Sequence, residues 1–395
     1  MTTLVQQKVQ QAVDILREQD VDLWLTFTCE TSLIGDPILP VIYGESGLTW
    51  PSALLISRSG ERIIILGHFE AESARLTGAY DPVIPYHRGI AEVLRETIAR
   101  LNPRQIAINT SLSDPLADGL THGMYTILND ILEGTPYAGR LTSAQNIIAA
   151  LNGRKSPAEV ARIRAAAEET EAIFAETYAF IQPGMSEREI AAFMQARVAA
   201  RGLGFGWVAD SCPAVNAGPE SPVGHAGPTD LCVQPGMILH FDFGVRKDGF
   251  CSDMQRVVYF LRPGETHPPE AVQRGFDCVA QAVQAAAACI RPGVAGVEVD
   301  AAARGVITAA GYPEYQYATG HQLGRHAHDG GGLLGPNWER YGGLGLRSLE
   351  AGQVFTIEPG AMVAGHGYIG LEEDVLVTEH GAEFLVPPQT ELIVR

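Results

Sequence analysis

A stretch of this chain occurs twice, and that repetition limits its fold more than any single motif does. Ile181-Gln182-Pro183-Gly184, Glu189-Ile190 and Gly202 are echoed by Ile290-Arg291-Pro292-Gly293, Glu298-Val299 and Gly311, each pair offset by 109 positions. A constant offset through helix, Pro-Gly turn and helix points to an internal duplication, each copy followed by a strand-rich stretch. Two such copies imply a pseudo-twofold axis, and a site between them draws side chains from both. The repeated unit opens at Lys155-Ser156-Pro157-Ala158-Glu159. Ser156 suits the N-cap, Pro157 the first helical position, and Glu159 completes a capping box, so a helix is expected to run to about Ile181. Met185-Ser186-Glu187-Arg188-Glu189 opens a second helix by the same logic, stopped by Gly202 and Gly204.

A chain of 395 residues is expected to form two domains. Ahead of the repeat, Val5, Val9, Val13 and Leu16 share one face of a helix from about Leu4 to Glu18. Short apolar runs at 21–28, 52–57 and 62–66, then a helix at 90–101 before a strand at 105–109, predict a small α/β domain over residues 1–153. Residues 154–395 form the second domain. The net charge of -18 repels phosphate backbones, so no nucleic-acid partner is expected. Six cysteines without a C-x-x-C pair fit free thiols in the reducing cytoplasm. The amino terminus lacks the pattern of a secretory signal, and no run of 18 apolar residues offers a membrane span.

Residues 237–245 (MILHFDFGV) and 250–261 (FCSDMQRVVYFL) form two strands joined by a hairpin turn within Arg246-Lys247-Asp248-Gly249. A two-residue loop at Lys247-Asp248 sets Asp242 directly opposite Asp253; a loop at Asp248-Gly249 makes them diagonal neighbours on the same face. Either way two carboxylates repel one another, and a divalent cation or Arg256 compensates them unless the hairpin is a surface one with a solvated acidic face. Three further segments add acids and imidazoles: Val354 to Gly360 ends a strand in Glu358-Pro359-Gly360, Gly370-Leu371-Glu372-Glu373 opens another, and Gly320-His321 to His328-Asp329 forms a glycine-rich loop. One histidine with four carboxylates suits Mn²⁺, Co²⁺ or Zn²⁺ in a shared pair and not a closed structural zinc site. A water shared by two such ions turns nucleophilic near neutral pH.

These residues resemble the pita-bread metallopeptidases, the group of Xaa-Pro dipeptidase (prolidase), Xaa-Pro aminopeptidase, methionine aminopeptidase and creatinase. The resemblance covers essentially the whole chain. It implies an α+β pita-bread catalytic domain with an internal pseudo-twofold repeat, preceded by a smaller α/β creatinase-type domain. Matched motif by motif, D-F-G gives Asp242, S-D-x-x-R gives Asp253 and Arg256, G-H-x-x-G gives His321, T-x-E-P-G gives Glu358, and the acidic pair of the final strand gives Glu372. By that resemblance Asp253 and Glu372 bridge two divalent ions, most simply Mn²⁺. Asp242 completes one ion's ligands, and His321 and Glu358 the other's. Glu358 also carries the proton of the attacking water, while His225 and His328 line the substrate pocket and act on the scissile carbonyl and leaving group.

The implied activity is hydrolysis of Xaa-Pro bonds, as a dipeptidase in first place and as an aminopeptidase on longer peptides in second, in a homodimer. A metal-free creatinase-type C–N hydrolase and a non-enzymatic binding protein are weaker readings, because all five ligand positions are intact. Two departures stand out. Gly370 occupies the position, two before the last ligand, where many prolidases and Xaa-Pro aminopeptidases carry an arginine that helps organise the site. The loop H-x-x-G-x-x-x-H-D-G-G is closer to the aminopeptidase form, and it holds an additional imidazole, His326, expected at the surface.

Overall fold

The computed structural model describes residues 2–224 and 226–395, which form two compact units, Met1–Gly153 and Arg154–Arg395. In the first unit the helix Leu4–Glu18 starts at Thr3, whose hydroxyl accepts the Gln6 N–H at 3.2 Å while the Gln6 side chain accepts the Thr3 N–H at 2.9 Å. A six-stranded sheet follows, ordered Val83–Tyr86, Arg62–Gly67, Ser52–Ser57, Leu23–Thr28, Ile106–Ile108 and Leu141–Ser143. Its central strands Leu23–Thr28 and Ser52–Ser57 are buried at every position, because alternate side chains meet two different cores. Trp24, Leu54, Ile56 and Ile64 pack with Val9, Val13 and Leu16 of the first helix. Leu25, Phe27, Leu55 and Ile63 pack on the other face with Leu94, Ile98 and Leu128.

In the second unit the duplication is present in three dimensions. Helices Pro157–Phe180 and Glu187–Ala200 form one copy, and Glu270–Cys289 and Gly296–Ala309 the other. Glu187–Ala200 and Gly296–Ala309 are each 14 residues long and offset by 109 at both ends. Ser186 N–H donates to the Glu189 carboxylate at 2.8 Å, and Ala295 N–H to Glu298 at 3.0 Å, so the second copy keeps the backbone half of the capping box without the serine. The turns match too: Gly184 N–H donates to Val233 O and Gly293 N–H to Leu349 O, both at 2.8 Å. Beyond the helices the offset lengthens to 116, so strand Ile238–Phe243 corresponds to Val354–Ile357.

Each copy packs its own core. Leu239, Phe241 and Phe243 lie against Ile173, Phe174, Ile190 and Met194. Phe355, Ile357 and Val375 lie against Val272, Phe276, Val279 and Val299. Fully burying one such side chain stabilises the fold by roughly 1.5–3 kcal/mol. By alternation, His240 and Asp242 occupy the opposite face of their strand from Phe241 and Phe243.

The hairpin turn is Asp248-Gly249, since Arg246 pairs with Cys251 and Lys247 with Phe250. Asp248 (φ 50) and Gly249 (φ 82) both take the left-handed conformation of a type I′ turn, which an Asp-Gly pair adopts readily. Asp242 therefore faces Gln255 across the ladder, and Asp253 is its diagonal neighbour. The directly opposed arrangement of the two acids does not occur, because a Lys247-Asp248 loop would put lysine at a positive-φ position. The two long strands also break at Gly244 and at Ser252-Asp253, where the Ser252 hydroxyl accepts the Val245 N–H at 3.1 Å. A Cβ at Gly244 would overlap the Ser252 carbonyl oxygen.

The His321–Asp329 loop is tied to the start of the unit by an ion pair, Lys155 Nζ to Asp329 Oδ2 at 2.6 Å, with side chains only 2% and 1% exposed. Asp329 also accepts the His326 N–H at 3.3 Å. None of the six cysteines forms a disulfide, and no helix among the described residues is long and apolar enough to cross a membrane. Breaking a buried pair by removing one partner leaves an uncompensated charge and costs about 3–5 kcal/mol. Lys155→Met is expected to lower unfolding stability by that amount in urea titration, and Lys155→Met with Asp329→Leu to recover part of it; a single variant as stable as wild type would show that the pair does not hold the loop.

Candidate metal centre

Each copy of the repeat delivers one acid at or near the end of its first strand and one just before its second. Asp242 belongs to Ile238–Phe243 and Glu358 follows Val354–Ile357, while Asp253 precedes Met254–Tyr259 and Glu372 precedes Glu373–Val377. The copies meet along Gln255 and Glu372, which exchange backbone hydrogen bonds at 3.2 and 3.3 Å. His321 arrives on the short strand Gly320–His321, its N–H held by the Thr356 hydroxyl at 3.2 Å. From there His321 Nε2 lies 3.4 Å from Glu358 Oε1 and 3.8 Å from both Asp253 Oδ2 and Glu372 Oε1. Donor atoms of Asp253, His321 and Glu372 all fall within 4.8 Å of one another.

The electrostatics of this cluster are unfavourable for the protein alone. Asp242 Oδ1, Asp253 Oδ1 and Glu372 Oε1 are shielded from solvent and have no hydrogen-bond partner. Burial pushes the Asp242 carboxyl up to about 7. It drives Asp253, Glu358 and Glu372 well above the ordinary range, with repulsion among the acids adding to the effect. Arg256 does not relieve them. Its guanidinium is taken by Glu171 and by Glu373, with 3.0 Å contacts to each. Four carboxylates and one imidazole, converging with orphaned buried oxygens, are the donors a divalent cation requires.

The centre opens onto a cavity of about 450 Å³ lined by Asp242, His321, His328 and Glu358. The His328 ring lies 4.2 Å from that of His321, centre to centre. His326 is exposed on the same loop. His225 lies outside the described residues. The sequence reading missed other parts of the wall: Asn216, His240, Gln255, Tyr317 and Tyr368. Strand alternation carried the signal for two of them, since His240 shares a face with Asp242 and Gln255 with Asp253.

Residues 161–379, more than half of the chain and all five candidate ligands among them, match the sequence profile of metallopeptidase family M24. The chain is a family M24 metallopeptidase. An uncharacterized peptidase of Staphylococcus saprophyticus is 28% identical over 384 residues, 96% of this chain and 98% of its own. A Xaa-Pro dipeptidase of Lactobacillus helveticus is 29% identical over 248 residues, 62% of this chain and 63% of that protein. Among solved structures, a Xaa-Pro dipeptidase from Bacillus anthracis superposes with a TM-score of 0.76 at 23% identity, covering 99% of this chain and all of the other. An X-Pro aminopeptidase from Thermotoga maritima does so with 0.74 at 24%, covering 98% of this chain and all of the other. The fold of this M24 peptidase is thus the pita-bread architecture, shared by dipeptidases and aminopeptidases alike.

All four carboxyls titrate higher in the folded M24 chain than unfolded, so without a cation their contribution to stability is fully present below the ordinary carboxylate range. It is lost as pH rises, through about 7 for Asp242 and higher for the others. Metal-stripped protein is expected to melt at a lower temperature at pH 8 than at pH 6 in scanning calorimetry, and added Mn²⁺ to restore the midpoint at pH 8. Equal midpoints at the two pH values, unmoved by metal, would mean that the acids do not share one buried site.

Proposed function

We propose that this M24 peptidase hydrolyses the bond between a first residue and proline, using two divalent ions, most simply Mn²⁺, held by Asp242, Asp253, His321, Glu358 and Glu372. The observation that carries this reading is the convergence of acids from both copies of the repeat around His321, with Asp242, His321 and Glu358 facing the cavity. When bound, the metal pair lowers the pKa of water and polarises the scissile carbonyl. The protein's own part is proton handling and orientation. Glu358, 17% exposed at the cavity edge, takes the proton of the attacking water and passes it to the leaving imino nitrogen. His328 donates to the developing oxyanion or the leaving nitrogen, and His225 is assigned the neighbouring role by family resemblance.

A dipeptidase is the first reading, acting as a cytoplasmic homodimer. Aminopeptidase action on longer peptides is the second, supported by the H-x-x-G-x-x-x-H-D-G-G loop. Turnover of Ala-Pro, Ala-Pro-Ala and Ala-Ala by the Mn²⁺-loaded enzyme tests both. Ala-Pro cut faster than Ala-Pro-Ala supports the dipeptidase and the reverse order the aminopeptidase, while Ala-Ala cut as fast as Ala-Pro removes the proline assignment. Glu358→Gln is expected to lower kcat about 10²–10⁴-fold, the range for loss of a positioned acid–base group; a kcat within a few-fold of wild type would take the proton role away from Glu358.

A further inference from the structure

Beside the acids, on the same face of the sheet, runs a row of uncharged polar side chains drawn from three adjacent strands. Asn216 pairs with His240 in register, and Gln255 pairs with Asp242. His240 is buried and kept neutral by burial, with Nδ1 3.0 Å from Asn216 Oδ1 and Nε2 2.9 Å from Gln255 Oε1, so its single N–H donates to one of these two oxygens. Asn216 is itself anchored, its amide donating to the Pro222 carbonyl at 2.9 Å and to the Ser221 hydroxyl at 3.1 Å. The Tyr368 ring closes edge-on over His240, centroids 5.0 Å apart. At the far end of the row the Gln255 amide reaches Glu358 Oε2 at 3.5 Å, and the Gln255 backbone exchanges hydrogen bonds with Glu372.

Gly370 is part of the same arrangement. A Cβ there would overlap Gln255 Oε1 and come within 2.8 Å of both His240 Nε2 and Tyr368. The space a side chain at 370 needs is therefore the space the Gln255–His240 pair occupies. Its backbone does not take a positive φ, so the glycine is required by this close approach and not by conformation.

We propose that Gln255 is a positioning residue for Glu358, with its orientation set by His240 and Asn216 and its space provided by Gly370. This rests on the reading of Glu358 as the proton-handling group of an Xaa-Pro peptidase. A side chain held at one end by a buried ring and at the other touching the acting carboxylate restricts that carboxylate's rotation, and small misplacements at such a group lower turnover steeply.

Three variants of the metal-loaded enzyme test it: Gln255→Met, which keeps length and removes both polar ends, His240→Phe, and Gly370→Ala. Each is expected to lower kcat on the preferred Xaa-Pro substrate at least 10-fold, with KM within about 3-fold, with metal content unchanged and with the protein folded at the assay temperature. Gly370→Ala and His240→Phe should cost little further when combined with Gln255→Met, because they act through the same amide. The proposal is overturned if wild type turns over and Gln255→Met keeps its kcat, if the losses multiply in the double variants, or if the kcat loss follows loss of metal or of folding. A folded, metal-loaded wild type that cuts no Xaa-Pro peptide overturns the functional reading and this proposal together.

Discussion

Four carboxyl groups from distant parts of the chain are buried together with too little positive charge beside them. That electrostatic conflict organises the second unit. The basic side chains in the surrounding structure are already committed: Arg256 to Glu171 and Glu373, Lys155 to Asp329. Those pairs position the sheet and the histidine loop, but they leave Asp242, Asp253, Glu358 and Glu372 with orphaned or repelling oxygens. A buried ionised carboxylate with no partner costs several kcal/mol, so such a cluster either stays protonated or takes up a cation.

The repeat explains how the conflict is assembled at all. One copy supplies Asp242 and Asp253, and the other supplies Glu358 and Glu372 at corresponding places on corresponding strands. Neither copy alone gathers more than two acids. Joining the copies along Gln255 and Glu372 closes the set, and each copy keeps its own apolar core behind its pair of strands. Backbone packing thereby holds the four acids together whether or not a cation is present, which is the preorganisation a metal site would need.

Local signals were the legible ones. The capping boxes at Ser156 and Ser186 located the helix starts because N-cap chemistry is settled within four residues. The four clustered acids were legible from their motifs and from strand alternation. Register was open between two loops until turn chemistry decided it, and Asp-Gly at positive φ chose the diagonal pairing of Asp242 with Asp253. The equivalence of Asp242 with Glu358 was hidden from a constant offset of 109, because the connection between helix and strand is seven residues longer in the second copy. Asn216, His240 and Gln255 were missed for another reason: each looks like an ordinary strand residue, and only the pairing of three strands makes them a row.

That row also bears on how the acids are arranged with glycine at position 370. A guanidinium there would act over distance, offsetting carboxylate charge and competing with a cation for it. Amides and an imidazole act through short, directional bonds, and they fix where Glu358 points without adding a charge that weakens the attraction of the acids for metal. The two solutions exclude one another physically, since Gln255 and His240 fill the volume that any side chain at position 370 would need. Glycine at 370 is therefore required by the side chains that strands 238–243 and 254–259 place against it. On the proposed reading, the orientation of Glu358 is set by packing and hydrogen bonding, and neutralisation of the acids is left to a cation.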